Sequence, residues 1–564
     1  MPVPLSQELR KRIVRAVTGG SSIRQTALRF EIRPSAAVKL MRCFRQSGSS
    51  APARVGRCGV MILLIPLVPI LTTNGHFFVD IPNHLYRVSI INEILYQGVP
   101  SSYFHISYRL YPNMAMDVVT GLLTTIMSPA AALMVFLCGT VLAYLTSILS
   151  WRASLGQRTD AAVCLLIVLI LYSEMVYWGF FNYVLGLSIM HVCMALLNHQ
   201  TIRPSRFFPV TQAGLIALLC LTSIFPVILY VAFCAGSAFE ALRSSAPGAR
   251  RAALGRLFRQ HGLSAMMVVT LVSAMDPGQM GSTNWSIQLK LLGIFSIAKT
   301  TYVLPEYAIS ALTLVCLATL VWQRGLVADR DARAGTLACC LLYLALPEEL
   351  HGVHLTDRRV APAIAGLVLV LIRGPQPAAT RFSTTALTMG LSLLIAIKAG
   401  ILAHVWTPLA SLQASYRTIS ALIPSGAFIV FVPPLEGQRW GAGTHVRAYL
   451  RRLSHFERIP PEEAHQYIHY YHLHFAELIG KDVYSPHVFT NLALKANLSA
   501  NPLPFLAHVA DLPELRTKLH GAVIAPNIYL ISHVDLQPIL LHRLRARKLM
   551  NSGPITLYRT EPVE

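Results

Sequence analysis

Between residues 59 and 410 the sequence consists of apolar runs, most of them close to the length needed to cross a membrane. A helix rises about 1.5 Å per residue, so about 20 apolar residues cross a hydrocarbon core of about 30 Å. Eleven runs fit this pattern, at 59–75, 130–150, 160–173, 180–198, 207–222, 224–241, 262–275, 306–323, 334–346, 360–372 and 384–406. The pattern predicts a bundle of helices embedded in a bilayer.

The composition agrees with this prediction and excludes other classes of protein. Charged residues make up 13% of the 564 residues and hydrophobic residues 54%, with a mean hydropathy of +0.51. Soluble proteins carry roughly 25% charged residues. An ordinary soluble enzyme, a disordered chain and a coiled coil are therefore excluded. We predict a mainly α, polytopic helical membrane protein with about 11 to 13 spans.

Two further runs, 113–128 and 288–303, are doubtful as spans, and they decide the orientation. If neither crosses the membrane, the loops on the N-terminal side hold 14 Lys and Arg and 4 Asp and Glu, whereas the other loops hold 6 and 9. This distribution satisfies the positive-inside rule, and it is lost if both runs cross. We therefore predict eleven spans in the cell inner membrane, a cytoplasmic N-terminus and a periplasmic segment 411–564.

The first 58 residues form a basic head, with 12 Lys and Arg and 2 Asp and Glu. Apolar residues such as Leu9, Ile13 and Val17 recur at helical spacing in three short segments, and Ser6 and Ser22 can cap the first two. Three such helices predict a helix-turn-helix, in which Ser35, Lys39 and Arg42 of the third helix face a DNA major groove. The alternative is a small basic bundle with no DNA role.

A family resemblance supports the prediction of a helix-turn-helix. The strings VPLSQELRKRIVRAV, SIRQTALRFEIRPSAAVKLMRCFRQSG and PARVGR resemble the N-terminal helix-turn-helix of mariner-like insertion-sequence transposases, over residues 1–57. The resemblance implies DNA as a partner. The family next needs a soluble catalytic domain with three carboxylates for two metal ions, whereas this chain becomes membrane-spanning. We predict a transposase-derived head at 1–58 fused to a transmembrane domain at 59–410 and an extracytoplasmic α/β domain at 411–564.

The predicted orientation places several ionisable residues on the outer face, where such groups are costly and therefore candidates for function. Asp80 and His84 lie in the first outer loop and are the predicted catalytic residues. Asp80 suits a general base, because an acceptor hydroxyl loses its proton as it attacks.

Basic residues on the same face are candidates for binding a substrate phosphate. The guanidinium groups of Arg358 and Arg359 would hold a lipid phosphate bidentately and stabilise a leaving group. Lys290 and Lys299 would act likewise as point charges. For any one of these residues, the alternative is a polar membrane interface without a catalytic role.

The layout of residues 59–564 resembles the GT-C class of membrane glycosyltransferases. The resemblance rests on Asp80, on Tyr111-Pro112-Asn113 and on Asp357-Arg358-Arg359. It implies a glycosyltransferase that uses a polyprenyl-phosphate-linked sugar at the outer face of the lipid bilayer. The first loop has no adjacent acidic pair, so a divalent metal ion is left open as a cofactor, and no residue is assigned as a metal ligand.

The same pattern is similar to that of uncharacterised bacterial membrane proteins, so alternatives remain open. One is a non-enzymatic membrane protein or a transporter, which a charge in the middle of a span, Lys398, would support. Another is a membrane-tethered DNA-binding protein.

The tail is predicted to be α/β, with a strand at 427–432, a helix at about 461–479 and a strand near 522–531. Four histidines lie within ten residues of this helix: His465, His469, His472 and His474. A surface or capping role is favoured for them. A metal site is the alternative, because His465 and His469 have i, i+4 spacing.

Overall fold

The computed structural model describes residues 7–32, 34–47, 62–107, 110–202, 205–274, 283, 285–301, 304–350, 355–375, 381–432, 472–485, 494–496, 528–533, 541–542 and 545–560. Within these ranges the chain is mostly helical, with a small sheet near the C-terminus. His465 and His469 lie outside the described residues.

Three helices form in the head, where three were predicted: α1 Gln7–Thr18, α2 Ile23–Arg29 and α3 Pro34–Ser47. Ser22 caps α2 through a reciprocal pair of hydrogen bonds with Gln25, each 3.2 Å long. The three helices share their own hydrophobic cluster, separate from that of the membrane part. Ser35 is exposed on α3. Lys39 and Arg42 lie on the same helix, but their side chains lie outside the description, and DNA binding remains a prediction.

Fifteen helices follow in the described residues of the membrane part. They are α4 Leu67–Thr73, α5 Ile81–Leu95, α6 Ala115–Leu123, α7 Pro129–Ser154, α8 Ala161–Leu171, α9 Glu174–Tyr177, α10 Phe181–Ile202, α11 Phe208–Thr222, α12 Ile224–Arg243, α13 Arg250–Ala274, α14 Ile287–Gly293, α15 Leu304–Arg324, α16 Arg330–Ala345, α17 Thr356–Leu371 and α18 Arg381–Ser420. Each of the eleven predicted runs overlaps one of these helices, although α4 covers only part of the run 59–75 and α13 begins twelve residues before the run 262–275.

In the part of the chain that the structure describes, five helices are long and apolar enough to cross a membrane, namely α7, α10, α12, α15 and α18. The two doubtful runs instead form α6, with 9 residues, and α14, with 7 residues, which continues into a short 3-10 helix at Ile294–Ile297. Helices this short do not cross a bilayer. The chain is thus a mainly helical multi-pass membrane protein, and the number of eleven spans remains a prediction.

Two glycines allow α12 and α16 to pack with their backbones in contact. A Cβ atom added to Gly236 would lie 2.5 Å from the carbonyl oxygen of Ala334, and one added to Gly335 would lie 2.8 Å from Phe233. Close backbone approach increases van der Waals contact, which matters most where the surrounding lipid is as apolar as the side chains.

The tail contributes most of the β structure. The strands are β1 Phe104–Ile106, β2 Phe428–Val432, β3 Leu494–Ala496, β4 Ile528–Ser532, β5 Ala546–Ser552 and β6 Ile555–Thr560. Four form a sheet of order β2-β4-β6-β5, in which β2 and β4 are parallel and the other pairs antiparallel. The two predicted strands are thus present as β2 and β4, and the β5–β6 hairpin was not predicted.

Two other predictions for the tail need correction or extension. The part of the predicted helix that the structure describes is a 3-10 helix at Leu473–Glu477, and residues 461–471 lie outside the description. Helix α18 continues to Ser420, ten residues past the predicted domain boundary at 410, and so joins the membrane part to the tail.

The tail packs on one end of the helical bundle, which we call the tail face. Tyr86 of α5 donates its hydroxyl to the carbonyl oxygens of Lys481, at 3.0 Å, and Val483, at 2.7 Å. Strand β1, from the first loop, pairs with β3 of the tail. The first loop and the tail therefore form one continuous structure.

Arginines gather at the opposite end, which we call the arginine face. Arg324 at the end of α15 pairs with Asp160 before α8 at 2.6 Å. Arg152 near the end of α7 donates to the carbonyl oxygens of Arg158, at 2.8 Å, and Ile372, at 3.1 Å. Loops that were predicted to share the cytoplasmic side therefore lie together, while the identity of that side remains a prediction.

Candidate active site on the tail face

Asp80 is held at the start of α5 by contacts on both sides. Phe78 packs edge-on against Phe181, with ring centroids 5.5 Å apart. The Asp80 backbone N–H donates to the carbonyl oxygen of Trp178 at 3.2 Å. The residue after Trp178, Gly179, has φ +87°, and a Cβ atom there would lie 3.3 Å from the Asp80 Cβ and backbone N atoms. Glycine therefore permits this close approach and the left-handed backbone together.

The Asp80 carboxylate does not cap its own helix. Asp80 is the N-cap residue of α5, but its side chain makes no capping hydrogen bond. An N-cap carboxylate accepts from the N–H of the second or third helical residue, and the second residue here is Pro82, which has no N–H. The carboxylate is thus directed to other partners.

Burial raises the pKa of Asp80 to about 7, against the opposing attraction of the Arg359 and Arg87 guanidinium groups. Only 11% of its side chain is exposed. A carboxyl group with this pKa exchanges its proton near neutral pH, which is the property of an efficient general base.

The tail places a histidine against this carboxylate. The Nε2 atom of His472 lies 3.6 Å from Asp80 Oδ1, and its Nδ1 lies 3.0 Å from the amide nitrogen of Asn83. Because an amide nitrogen donates, Nδ1 is assigned as the acceptor and the ring proton to Nε2, which at 3.6 Å lies beyond hydrogen-bond distance of Asp80. Burial lowers the pKa of His472 to about 4, so the ring is neutral at pH 7.

His84, the second predicted catalytic residue, lies one turn along α5 from Asp80. Its backbone N–H donates to the Asp80 carbonyl oxygen at 3.0 Å. Burial lowers the pKa of His84 well below its ordinary value, and the charge of Arg87 acts in the same direction. The imidazole is therefore neutral.

A second buried carboxylate, Glu174 on α9, holds two of the four predicted phosphate-binding residues. Lys299 Nζ lies 3.3 Å from Glu174 Oε2, and Arg358 Nη1 lies 3.3 Å from Glu174 Oε1. All three side chains are at most 4% exposed. Glu174 thus holds two cations side by side, and the charges of Asp357 and Glu306 also act on Arg358 and Lys299, respectively.

Arg359, next to Arg358 on α17, lies between aromatic rings. Its guanidinium carbon is 4.3 Å from the centre of the Phe180 ring and 4.6 Å from that of Phe225. Stacking of this kind fixes the plane of a guanidinium group. Arg359 is also the cation that most strongly opposes the raised pKa of Asp80, which places the two charges near each other.

Lys290 makes a different set of contacts. Its ammonium group lies 3.4 Å from Asp357 Oδ2 and donates to the carbonyl oxygens of Tyr343, at 2.9 Å, and Leu346. Three acceptors match the three N–H donors of an ammonium group. A phosphate would have to displace one of them, so Lys290 is less suited to phosphate binding than Lys299, Arg358 or Arg359.

Arg87 and Asp117 form a buried ion pair beside Asp80. Arg87 donates from Nη2 to Asp117 Oδ1 at 2.6 Å and from Nε at 3.1 Å. The pair joins α5 to α6, and so fixes the helix that carries Asp80 and His84.

The structure shows the partners of Lys398, the charge in the middle of a predicted span. Its ammonium group lies 2.7 Å from Glu306, in the first turn of α15, and donates to the carbonyl oxygen of Ala298 at 2.6 Å. Ala298 precedes Lys299, so Lys398 joins α18 to the segment that holds Lys299. The transporter alternative remains a prediction.

Among the described residues, no group of three or more His, Cys, Asp or Glu side chains is placed to hold a metal ion. His472 faces Asp80 and Asn83, and His474 is 1% exposed and stacked on Phe431. The predicted surface role is therefore wrong for these two histidines, because the tail folds this segment inward.

The comparisons with known proteins give a structural likeness. No family model matches the sequence, and no curated protein does so. Among solved structures, the chain is similar to the crystal structure of ArnT from Cupriavidus metallidurans in the apo state, with 11% sequence identity and a TM-score of 0.41. The similarity covers 86% of this chain and 93% of that one. A likeness at this identity and this score assigns no function to the chain.

The structure brings Asp80, His84 and Arg359 together and places Arg358 and Lys299 on Glu174. Sequence reasoning did not assign a role at this site to three participants, namely Glu174, Asp117 and His472. The partners of the two carboxylates have no signal in the local sequence. His472 was noted for its spacing to other histidines, whereas its contact with Asp80 depends on how the tail folds back.

Proposed function

We propose that the chain is a GT-C-like membrane glycosyltransferase that uses a polyprenyl-phosphate-linked sugar at the outer face of the inner membrane. The observation that carries the proposal is the buried Asp80 carboxyl, with a pKa of about 7 beside the Arg359 guanidinium. In this proposal the tail face is periplasmic, and the arginine face and the head are cytoplasmic.

Asp80 would act as the general base. The acceptor hydroxyl oxygen bonds to the anomeric carbon, its proton passes to Asp80, and the bond from that carbon to the phosphate oxygen of the lipid breaks. His472, whose Nε2 lies 3.6 Å from the carboxylate, would restrict its position by packing. As a neutral imidazole it does not lower the basicity of the carboxylate as a cation would.

The leaving lipid phosphate carries the negative charge that develops during transfer. Arg359, Arg358 and Lys299 offer three cationic groups that are held in place in a site of low exposure, by aromatic rings in one case and by Glu174 in the other two. Fixed cations of this kind stabilise a leaving phosphate in the transition state without reorganisation.

The experiment that tests the proposal compares Asp80→Asn with Glu93→Gln. Glu93 lies at the other end of α5 and is half-buried. Membranes with equal amounts of each full-length variant receive 14C-labelled polyprenyl-phosphate hexoses and pentoses, and transfer of label out of the donor is measured. We expect a loss of about 100-fold or more for Asp80→Asn and wild-type transfer for Glu93→Gln.

Transfer at the wild-type rate by Asp80→Asn would remove Asp80 as the base. Absence of transfer by the wild-type chain with every donor would contradict the glycosyltransferase itself.

A further inference from the structure

A large cavity opens on the arginine face, at the end of the bundle opposite Asp80. Its volume is about 1000 Å³, and it lies between the ends of α7, α10 and α12 and the first turns of α11, α13 and α16. Cavities that bind small molecules reach about this volume at the upper end of their range. The tail-face site does not use this space.

The inner part of the cavity is apolar. Trp151, Met194 and Phe233 line it, together with Leu155 and Phe208. Trp151 packs edge-on against Phe233, with ring centroids 5.6 Å apart. These side chains offer a surface for hydrocarbon rather than for a polar solute.

The mouth of the cavity is basic. Arg206, Arg256 and Arg259 line it, with the carboxylates of Asp329 and Asp331 opposite. Asp329 also accepts from the backbone N–H of Ala332 at 3.0 Å as the N-cap of α16. The three guanidinium groups outnumber the two carboxylates that line the cavity.

A histidine adds a polar group that needs a partner. The Nδ1 atom of His261 is buried at the wall of the cavity and has no hydrogen-bond partner among the described residues. A buried polar atom of this kind is costly unless a ligand or water satisfies it.

Large apolar side chains are exposed around the mouth. Phe258 and Leu254 on α13 are 77% and 53% exposed, and Phe207 before α11 is 62% exposed. Such side chains beside a basic opening offer contact to the acyl chains of a lipid whose headgroup lies at the arginines.

We propose that this cavity binds an anionic phospholipid, with the phosphate diester on Arg256, Arg259 and Arg206 and an acyl chain along the apolar inner surface. Basic pockets between membrane helices bind lipid headgroups by this chemistry. Inorganic phosphate offers the same oxygens, but it makes no use of the inner surface. The site is independent of the proposed glycosyl transfer.

The test measures the thermal unfolding midpoint of the full chain, purified in a neutral detergent, against increasing dioleoyl phosphatidylglycerol. The test variant is R256Q/R259Q. The matched control is R250Q/R251Q, which removes the same charge from exposed positions on the same helix that do not line the cavity. We expect the lipid to raise the midpoint of the wild type and the control at the same concentration, and the test variant to need at least about tenfold more.

Two further arms identify the source of the phosphate. Dioleoyl phosphatidylcholine, whose headgroup has no net charge, should give no shift at the concentration where phosphatidylglycerol saturates. Equal shifts from the two lipids, or equal responses of the two double variants, would overturn the site. An equal shift from inorganic phosphate alone would overturn the assignment to a lipid.

Discussion

At the tail face, the chemistry of single residues depends on how each charge is compensated. Glu174 receives two cations and Lys290 has three acceptors, whereas Asp80 is buried against a neutral imidazole. Because desolvation disfavours the charged form of a carboxyl group, the charge of Asp80 changes near pH 7. Burial also lowers the pKa of Lys299 on the same face, to about 8.

This titration predicts the pH dependence of the proposed reaction. The reactive form of a general base is deprotonated, and the pKa of Asp80 is raised to about 7. Transfer should therefore rise with pH and reach half of its plateau near pH 7. The measurement is the initial rate between pH 5 and 9, together with the infrared band of a protonated carboxyl, which should disappear over the same range and be absent in Asp80→Asn.

A rate that is flat between pH 5 and 9, with an unchanged infrared band, would contradict the assignment. Replacement of His472 by Asn keeps a side chain of moderate size but removes the imidazole ring that lies 3.6 Å from Asp80. The pH at which the rate is half-maximal should therefore change, while the protein remains folded.

The buried ion pair predicts a large effect on stability. Asp117→Asn leaves the Arg87 charge without its partner, and Arg87 is fully buried. We expect a loss of about 3–5 kcal/mol of unfolding free energy, measured by titration with sodium dodecyl sulfate in mixed micelles. The matched control is Glu240→Gln, because its partner Arg243 is 63% exposed and remains hydrated.

The control variant should unfold at the wild-type detergent fraction. Equal stability of Asp117→Asn and the wild type would mean that Arg87 finds water or another acceptor.

Among the elements, contact between α12 and α16 depends on residues without side chains. The carbonyl oxygen of Ala334 occupies the space in which a side chain of Gly236 would lie. The backbone cannot yield as the end of a flexible side chain does, so one methyl group there must separate the helices.

Gly236→Ala is therefore expected to destabilise the protein by about 1–3 kcal/mol. The control is Gly139→Ala on α7, where an added Cβ meets nothing within 4 Å. This change should be neutral or stabilise by up to about 1 kcal/mol, because alanine favours a helix over glycine. Thermal unfolding in detergent measures both, and a loss at Gly139 equal to that at Gly236 would show that packing is not the cause.

Over the whole molecule, the orientation of the chain predicts which segments a membrane-impermeant maleimide reaches. The tail contains no cysteine, so Arg547→Cys, at an exposed position of β5, introduces a single tail thiol. The maleimide should label Arg547→Cys in intact spheroplasts. Ala328→Cys, at an exposed position on the arginine face, should react beyond the wild-type background only after lysis.

The reverse pattern would invert the orientation and place the candidate site in the cytoplasm. Labelling of both variants in intact spheroplasts would contradict the placement of the two faces on opposite sides.

The sequence by itself determined the membrane class, the approximate positions of the long apolar helices and the gathering of arginines at one end. These properties are local: an apolar run of a given length forms a helix in lipid, and Ser22 caps α2 by pairing with Gln25, three residues away. It also gave Asp80 as a candidate, because the residue types around a predicted span are visible without the fold.

Only the tertiary structure decided what Asp80 and the cations contact. Glu174 meets Lys299 and Arg358 across more than one hundred residues, and His472 reaches Asn83 across 389. Such pairings depend on how the helices pack and where the tail folds. The charge of a carboxyl group depends in turn on burial and on those neighbours, which no local pattern of residues specifies.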